Sequence, residues 1–190
     1  MSHALQKYNV KGAIFISGKI AITYPECINS FDDDVDIGSQ TYNFVNLKSI
    51  PDYSIQLDEI RDGKYAVDST GNLVSKLFRA PYGNTDDNIY SLLYRSEILA
   101  DFSYESQYNK YYNGKFLKFE ISNLNSSKFS EDIFYDLVDN GEPIVVNFNN
   151  SIPVENIENF ISHMGSHNVR FVSASELTNM QLTIRNGGMG

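Results

Sequence analysis

Apolar residues fall in short blocks along this chain, and successive blocks switch between unbroken runs and a period near 3.6. Ala4 to Val10 reads as the end of a helix with Asn9 near its C-cap, and Gly12 to Gly18 follows as a continuous apolar run bounded by glycines. An unbroken run suits a parallel strand covered on both faces, where neither set of side chains meets water. Pro25 to Ser30 predicts a short helix, and Asp34 to Ser39 a second short strand entered from the acidic stretch Phe31-Asp32-Asp33-Asp34. From Tyr53 to about Asp68, Leu57, Ile60, Lys64 and Val67 stand near helical spacing, with Ser69-Thr70-Gly71-Asn72 as the stop. Gly63 weakens that helix, since an interior glycine is unfavourable there.

The stretch Leu77 to Gly83 is a strand that stops abruptly in a turn. Pro81 fixes φ and pushes Ala80 into extended geometry, and Gly83 tolerates the positive φ of a reversal, so Arg79 is presented at a rigid rim. Asn84 or Thr85 is then a candidate cap for a helix with Asp86 and Asp87 in its first turn and Ile89, Leu92 and Leu93 as its buried stripe. Ile98 to Tyr104 and Lys115 to Ser122 read as strands. Ser130 caps a helix carrying Ile133, Phe134, Leu137 and Val138, and Pro143 to Phe148 is a buried strand. Pro153 to His167 has the clearest helical pattern, through Ile157, Phe160, Ile161 and Met164. Val169 to Val172 predicts a strand, and Ser173 or Ser175 starts a short helix through Leu177. Gln181 to Arg185 alternates like one strand before the chain turns to glycine, so residues 181–190 read as a tail or linker of an excised domain spanning 1–180. This alternation predicts an α/β fold whose parallel strands close toward a barrel, with a doubly wound open sheet as the other architecture it allows.

Composition narrows the partners. A chain of 190 residues with 42% hydrophobic content suits one domain with a substantial core. Its net charge of −9 argues against a nucleic-acid backbone or an anionic membrane surface, and leaves neutral ligands open. Thirteen Tyr and twelve Phe without any Trp supply rings that can pack a core or stack on sugars. Cys27 is the only cysteine, which excludes an intrachain disulfide and a thiolate metal cluster. No apolar run approaches bilayer length, so membrane insertion is not expected, and the N-terminus lacks signal-peptide regions.

Three stretches, read in order, resemble the polysaccharide deacetylases with the NodB homology domain, metal-dependent carbohydrate esterases built on an irregular (β/α) barrel. Tyr8 to Lys19 looks like the family's second strand, Asp34 to Phe44 like the segment carrying its metal histidines, and Arg79-Ala80-Pro81-Tyr82-Gly83 matches its R-x-P-Y-G motif residue for residue. Pro143 to Asn149 and Val169 to Leu177 resemble its last strand and ending. The family's first strand, with its paired aspartates, would lie before Tyr8 and is expected to be missing. Phe31 to Asp34 resembles that motif in letters but follows the second strand, and reads as a solvated acidic loop.

The resemblance implies a chemistry. One Asp and two His hold a divalent metal such as zinc that polarises a carbonyl and activates water, a second Asp is the general base, and a later His protonates the leaving amine. The two metal histidines of H-[ST]-x-x-H fall on Gln40 and Phe44 here, with Thr41 keeping the hydroxyl position. Gln is a poor ligand for zinc and Phe is none. The acid histidine falls on Asn147, or on Asn149 if the strand slips by two, and Asn cannot give up a proton at neutral pH. Asp101 occupies the family's fourth motif without its usual Trp.

The expectation is therefore a degenerate member with no metal site and no cofactor. It keeps Arg79, Pro81, Tyr82, Asn147 and Asp101 as vestigial catalytic positions, and Tyr82, Gln40 and Thr41 as substrate-binding ones. In the family Arg79 orients the catalytic aspartate; with that partner gone it should engage another carboxylate or a backbone carbonyl. The i, i+4 pair His163 and His167 has no third ligand near in sequence and reads as surface neighbours. The Tyr-rich segment Tyr104 to Tyr112 reads equally as a sugar-facing loop or as a loop packing its own rings. The function so implied is a glycan-binding or structural module, with an active N-deacetylase that uses other ligands, or whose first strand lies outside this sequence, as the alternative. Carbohydrate is the partner and the cell envelope or exterior the location that the resemblance implies.

Overall fold

The computed structural model of the chain describes residues 2–104, 110–112, 116–120, 145–148, 152–166 and 169–187. Among them, β1 (Gly12–Ile16), β2 (Val35–Ser39), β3 (Leu77–Phe78), β4 (Ala100–Tyr104) and β6 (Phe116–Glu120) run parallel, and β5 (Lys110–Tyr112) lies antiparallel on β6 at the edge. The sheet order is β1-β2-β3-β4-β6-β5. Ile16, Ser39, Phe78, Asp101 and Lys118 share one row of the register. Gln40 and Arg79, each one residue further, therefore leave the sheet beside one another at its C-terminal edge.

The helices are α1 (Ser2–Tyr8), α2 (Gly18–Thr23), α3 (Glu26–Asn29), α4 (Tyr53–Gly71), α5 (Asp87–Arg95), α6 (Val154–Gly165) and α7 (Ala174–Gly187). Ile16, Ala21, Ile28 and Val67 form one cluster, and Leu47, Ile60, Phe78, Ile89, Leu93 and Ile98 a larger one. Helices α2 to α5 thus cover a single face of β1 to β4. Ala13, Phe15, Leu77, Ala100 and Phe102 point the other way and meet α7 through Ala174, Leu177 and Leu182. Strands β1 to β4 are consecutive both in sequence and in the sheet, and their crossover helices share one face. This is the winding of a (β/α) barrel rather than of a doubly wound sheet.

Local chemistry sets the boundaries. Asp52 accepts the Ser54 N–H at 2.8 Å to start α4, and Asn72, at φ 49°, ends it in the left-handed conformation, about one turn beyond Asp68. Gly63 belongs inside this helix because a Cβ there would stand 2.4 Å from the carbonyl oxygen of Gln40. Helix α5 is capped by Asp86, which accepts the Ile89 N–H at 2.9 Å, and not by Asn84 or Thr85.

Other expectations are corrected. Val169 to Val172 joins no ladder among the described residues; Phe171 and Val172 are apolar because they pack into the core. The last helix starts after Ser173, whose hydroxyl accepts the Glu176 N–H at 3.2 Å. It runs through Gln181 to Arg185, which is therefore helix and not strand. Helix α2 occupies a stretch in which the pattern places no helix. The end of the Tyr-rich segment is strand β5, while residues 105–109 lie outside the described residues, as do the helix expected after Ser130, Asn149 and His167.

Candidate functional site at the strand ends

Two loops leave the sheet side by side. The first, Gln40 to Asn46, is tied down from several sides: Gln40 N–H donates to Ile16 O at 3.0 Å, Tyr42 N–H to Glu59 O at 2.8 Å, and Lys19 N–H to Tyr42 O at 2.9 Å. Asn43 donates through backbone and side chain to the Glu59 carboxylate at 2.9 and 2.7 Å. Thr41 is fully buried, and its hydroxyl accepts the Val45 N–H at 2.9 Å. That places Thr41 in the fold of the loop. Gln40 is half-buried. Phe44 is 45% exposed.

The second loop begins at Arg79, whose N–H donates to Ser39 O at 3.0 Å and locks the two loops together. Its guanidinium donates to Asn147 Oδ1 at 2.5 Å. One partner is thus an amide oxygen. Burial lowers the pKa of Arg79, and the negative charge of Asp101 acts against that shift. The guanidinium stays charged.

Arg79, Asn147 and Asp101, scattered in sequence, are brought together. Asp101 is fully buried on the side of β4 opposite Ala100 and Phe102, and accepts a hydrogen bond from the Ser103 hydroxyl. Ser103 Oγ in turn accepts the Ala80 N–H at 2.6 Å. This chain holds the Ala80-Pro81-Tyr82-Gly83 turn against β4, so Asp101 supports the turn from beneath. Ser103 escapes notice in sequence, although its i+2 spacing from Asp101 puts both on one face of a strand. Tyr90 on α5 closes this buried region. Burial first, and then the carboxylates of Asp101, Asp87 and Asp86, push its hydroxyl up to about 12, against the opposing effect of its 2.9 Å hydrogen bond with Thr85.

Tyr82 sits at the third position of a turn closed by Gly83 N–H donating to Ala80 O at 3.1 Å. Both Tyr82 (φ 62°) and Gly83 (φ 69°) are left-handed, and only the glycine was expected to be. Phe44 is also left-handed, at φ 60°. A left-handed residue with a side chain is disfavoured by roughly 1–2 kcal/mol. The two rings meet with centroids 5.5 Å apart and planes tilted by 58°.

The donors here do not fit a catalytic metal. Gln40 offers one neutral oxygen and Phe44 nothing. Among the described residues, no three His, Cys, Asp or Glu side chains gather in a group able to hold an ion.

The architecture defines a (β/α)-barrel-type domain whose candidate site lies at the C-terminal ends of its parallel strands, where such folds carry their chemistry. The polysaccharide deacetylase family model matches residues 1–98, and the chain belongs to that family. A search of curated protein sequences returns no match. Among solved structures, a Mycobacterium smegmatis protein described as a polysaccharide deacetylase superposes with a TM-score of 0.78 at 17% identity, covering 97% of this chain and 76% of that one. Peptidoglycan deacetylase PdaC from Bacillus subtilis gives 0.67 at 14% identity, over 98% and 85%. A carbohydrate esterase family 4 pseudoenzyme from Bacillus anthracis gives 0.62 at 16%, over 93% and 60%. The fold is that of these deacetylases.

Proposed function

We propose that this domain has left metal-dependent deacetylation and holds a glycan at the rim as a binding or structural module. The observation that carries the reading is the Gln40 to Val45 loop, which is braced through Thr41 yet presents an amide and an exposed phenyl ring at the positions where the family's metal histidines fall. The Arg79 contact with Asn147 supports it further, since the arginine faces an amide at the position of the family's acid histidine. Carbohydrate as the ligand follows from family membership and from relatives named as peptidoglycan deacetylases. A pseudoenzyme with the same fold shows that the scaffold persists without activity, although fold alone does not decide function. No helix among the described residues is long and apolar enough to cross a membrane.

A metal-activated water and a general acid each contribute several kcal/mol, the acid alone a factor of about 10² to 10⁴ in rate, so losing both leaves no useful hydrolysis. Acetate release from chito-oligosaccharides and acetylated glycan fragments, with zinc, cobalt or nickel supplied, is expected at background. Sustained turnover abolished by Arg79→Ala overturns the proposal and restores the active deacetylase, because a contaminating enzyme would not respond to that substitution.

A further inference from the structure

We infer that Arg79, with Gln40 beside it, is a docking point for the carboxylate of a small, singly charged organic acid. The inference goes beyond the glycan reading and does not depend on it. Two hydrogen bonds carry the parallel ladder one residue past the strands: Gln40 N–H donates to Ile16 O at 3.0 Å, and Arg79 N–H to Ser39 O at 3.0 Å. Both side chains therefore start from fixed backbone. Alternation puts them on the same face of the sheet, opposite to Ser39 and Phe78. Arg79 Nη1 donates to Asn147 Oδ1 at 2.5 Å, which orients the guanidinium and leaves its Nε and Nη2 edge to other partners.

Among the described residues, no carboxylate lies within ion-pair distance of Arg79, and Asn147 Oδ1 is the acceptor its side chain reaches. No Arg79 nitrogen is buried without a partner, so the remaining N–H groups face solvent from a half-buried side chain. Burial outweighs the opposing pull of Asp101 on the Arg79 pKa, which leaves the cation under-compensated where it stands. Gln40 is half-buried too, and its side-chain amide makes no hydrogen bond among the described residues. An arginine fork that faces solvent, with amide N–H groups beside it, matches the two oxygens of a carboxylate. Charge then selects the kind of anion. A phosphate group carries close to two negative charges at neutral pH, which Asp101 and the net charge of −9 oppose more strongly than one, and the same charge disfavours a polyanion.

The test titrates sodium propionate into the wild-type chain at constant ionic strength and follows the proton–nitrogen NMR signal of the Arg79 Nε–H. Propionamide is the uncharged isostere, and inorganic phosphate and polygalacturonate are the competing anions. Propionate should shift the signal saturably, with a dissociation constant on the order of millimolar, while propionamide leaves it in place and both competing anions bind more weakly. Arg79→Gln should weaken propionate binding about tenfold or more, and Arg79→Lys by less, since an ammonium keeps the charge and loses the fork. Gln40→Glu should abolish binding by placing one of the chain's own carboxylates in the site. An unmoved Nε–H signal, or propionamide binding as well as propionate, overturns the inference even if Arg79→Gln fails to fold. Arg79→Lys binding as tightly as wild type also overturns it, because charge alone would then suffice. Tighter binding of phosphate or polygalacturonate than of propionate overturns the assignment to a small monocarboxylate.

Discussion

The rim has an underside and an upper side, and they are built by different rules. Beneath, Thr41, Ser103 and Asp101 are buried, and each takes part in a hydrogen bond that fixes a loop. Above, Phe44 and Tyr82 are exposed and left-handed, and their rings touch. The underside is fixed by hydrogen bonds, while the upper side presents an amide and two exposed rings. Shape is costly to alter because buried polar groups left without partners are heavily penalised. Exposed side chains can change with little harm to the fold. If that contrast is right, substitutions beneath the rim should cost stability and substitutions above it should not.

The largest effect is expected at Gly63. An added Cβ would stand 2.4 Å from Gln40 O, 2.8 Å from the Thr41 carbonyl carbon and 2.9 Å from Tyr42 N. All three are backbone atoms, so helix α4 or the loop must move. Gly63→Ala should lose about 3 kcal/mol by chemical denaturation despite alanine's better helix propensity. A stabilised variant would show that the loop is not pinned to α4. Asp101→Ala comes next. It strips Ser103 of its acceptor and loosens the turn at Ala80, for a loss of about 2–3 kcal/mol. An unchanged denaturation midpoint would contradict the bracing.

These residues show where sequence stops informing. Strand β1 stands out as an apolar run bounded by glycines and β2 as a short strand after an acidic stretch, and the stripe Ile89, Leu92 and Leu93 of α5 is buried as its spacing implies. Gly63 looks like a defect until tertiary contact reveals the backbone it approaches. Helix α2 hides because Ile20 and Ile22 prolong an apolar run, yet they are 42% and 58% exposed. Gln181 to Arg185 alternates by chance over a span too short to separate the two periods. At the site, the motif makes Arg79 and Tyr82 visible, but the Asn147 partner does not follow from local chemistry. Pairing Phe44 with Tyr82 requires knowing that the two loops leave neighbouring strands.

Alkaline pH probes the underside at a third point. The Tyr90 hydroxyl is pushed up to about 12, mainly by burial, from an unfolded value near 10. Folding therefore favours the neutral phenol. This contribution is fully present below pH 10 and is lost as pH rises toward 12. Tyr90→Phe should flatten the part of the alkaline stability loss that exceeds the background of the other tyrosines. Identical slopes for variant and wild type would place Tyr90 in contact with water.

The smallest effect is the most discriminating for the upper side. Glycine at Phe44 or Tyr82 relieves roughly 1–2 kcal/mol of left-handed strain but adds disorder to the unfolded chain worth about 0.4–1 kcal/mol. Each single variant should therefore stay near wild-type stability or rise slightly above it. Strain at two separate loops is additive, so any coupling in the double variant reports the contact between the rings. For an exposed tilted pair that coupling should be about 0.5 kcal/mol. A coupling well above 1 kcal/mol, with both single variants destabilised, would mean that the pair is a packed unit, and the division between a rigid underside and an open upper surface would collapse.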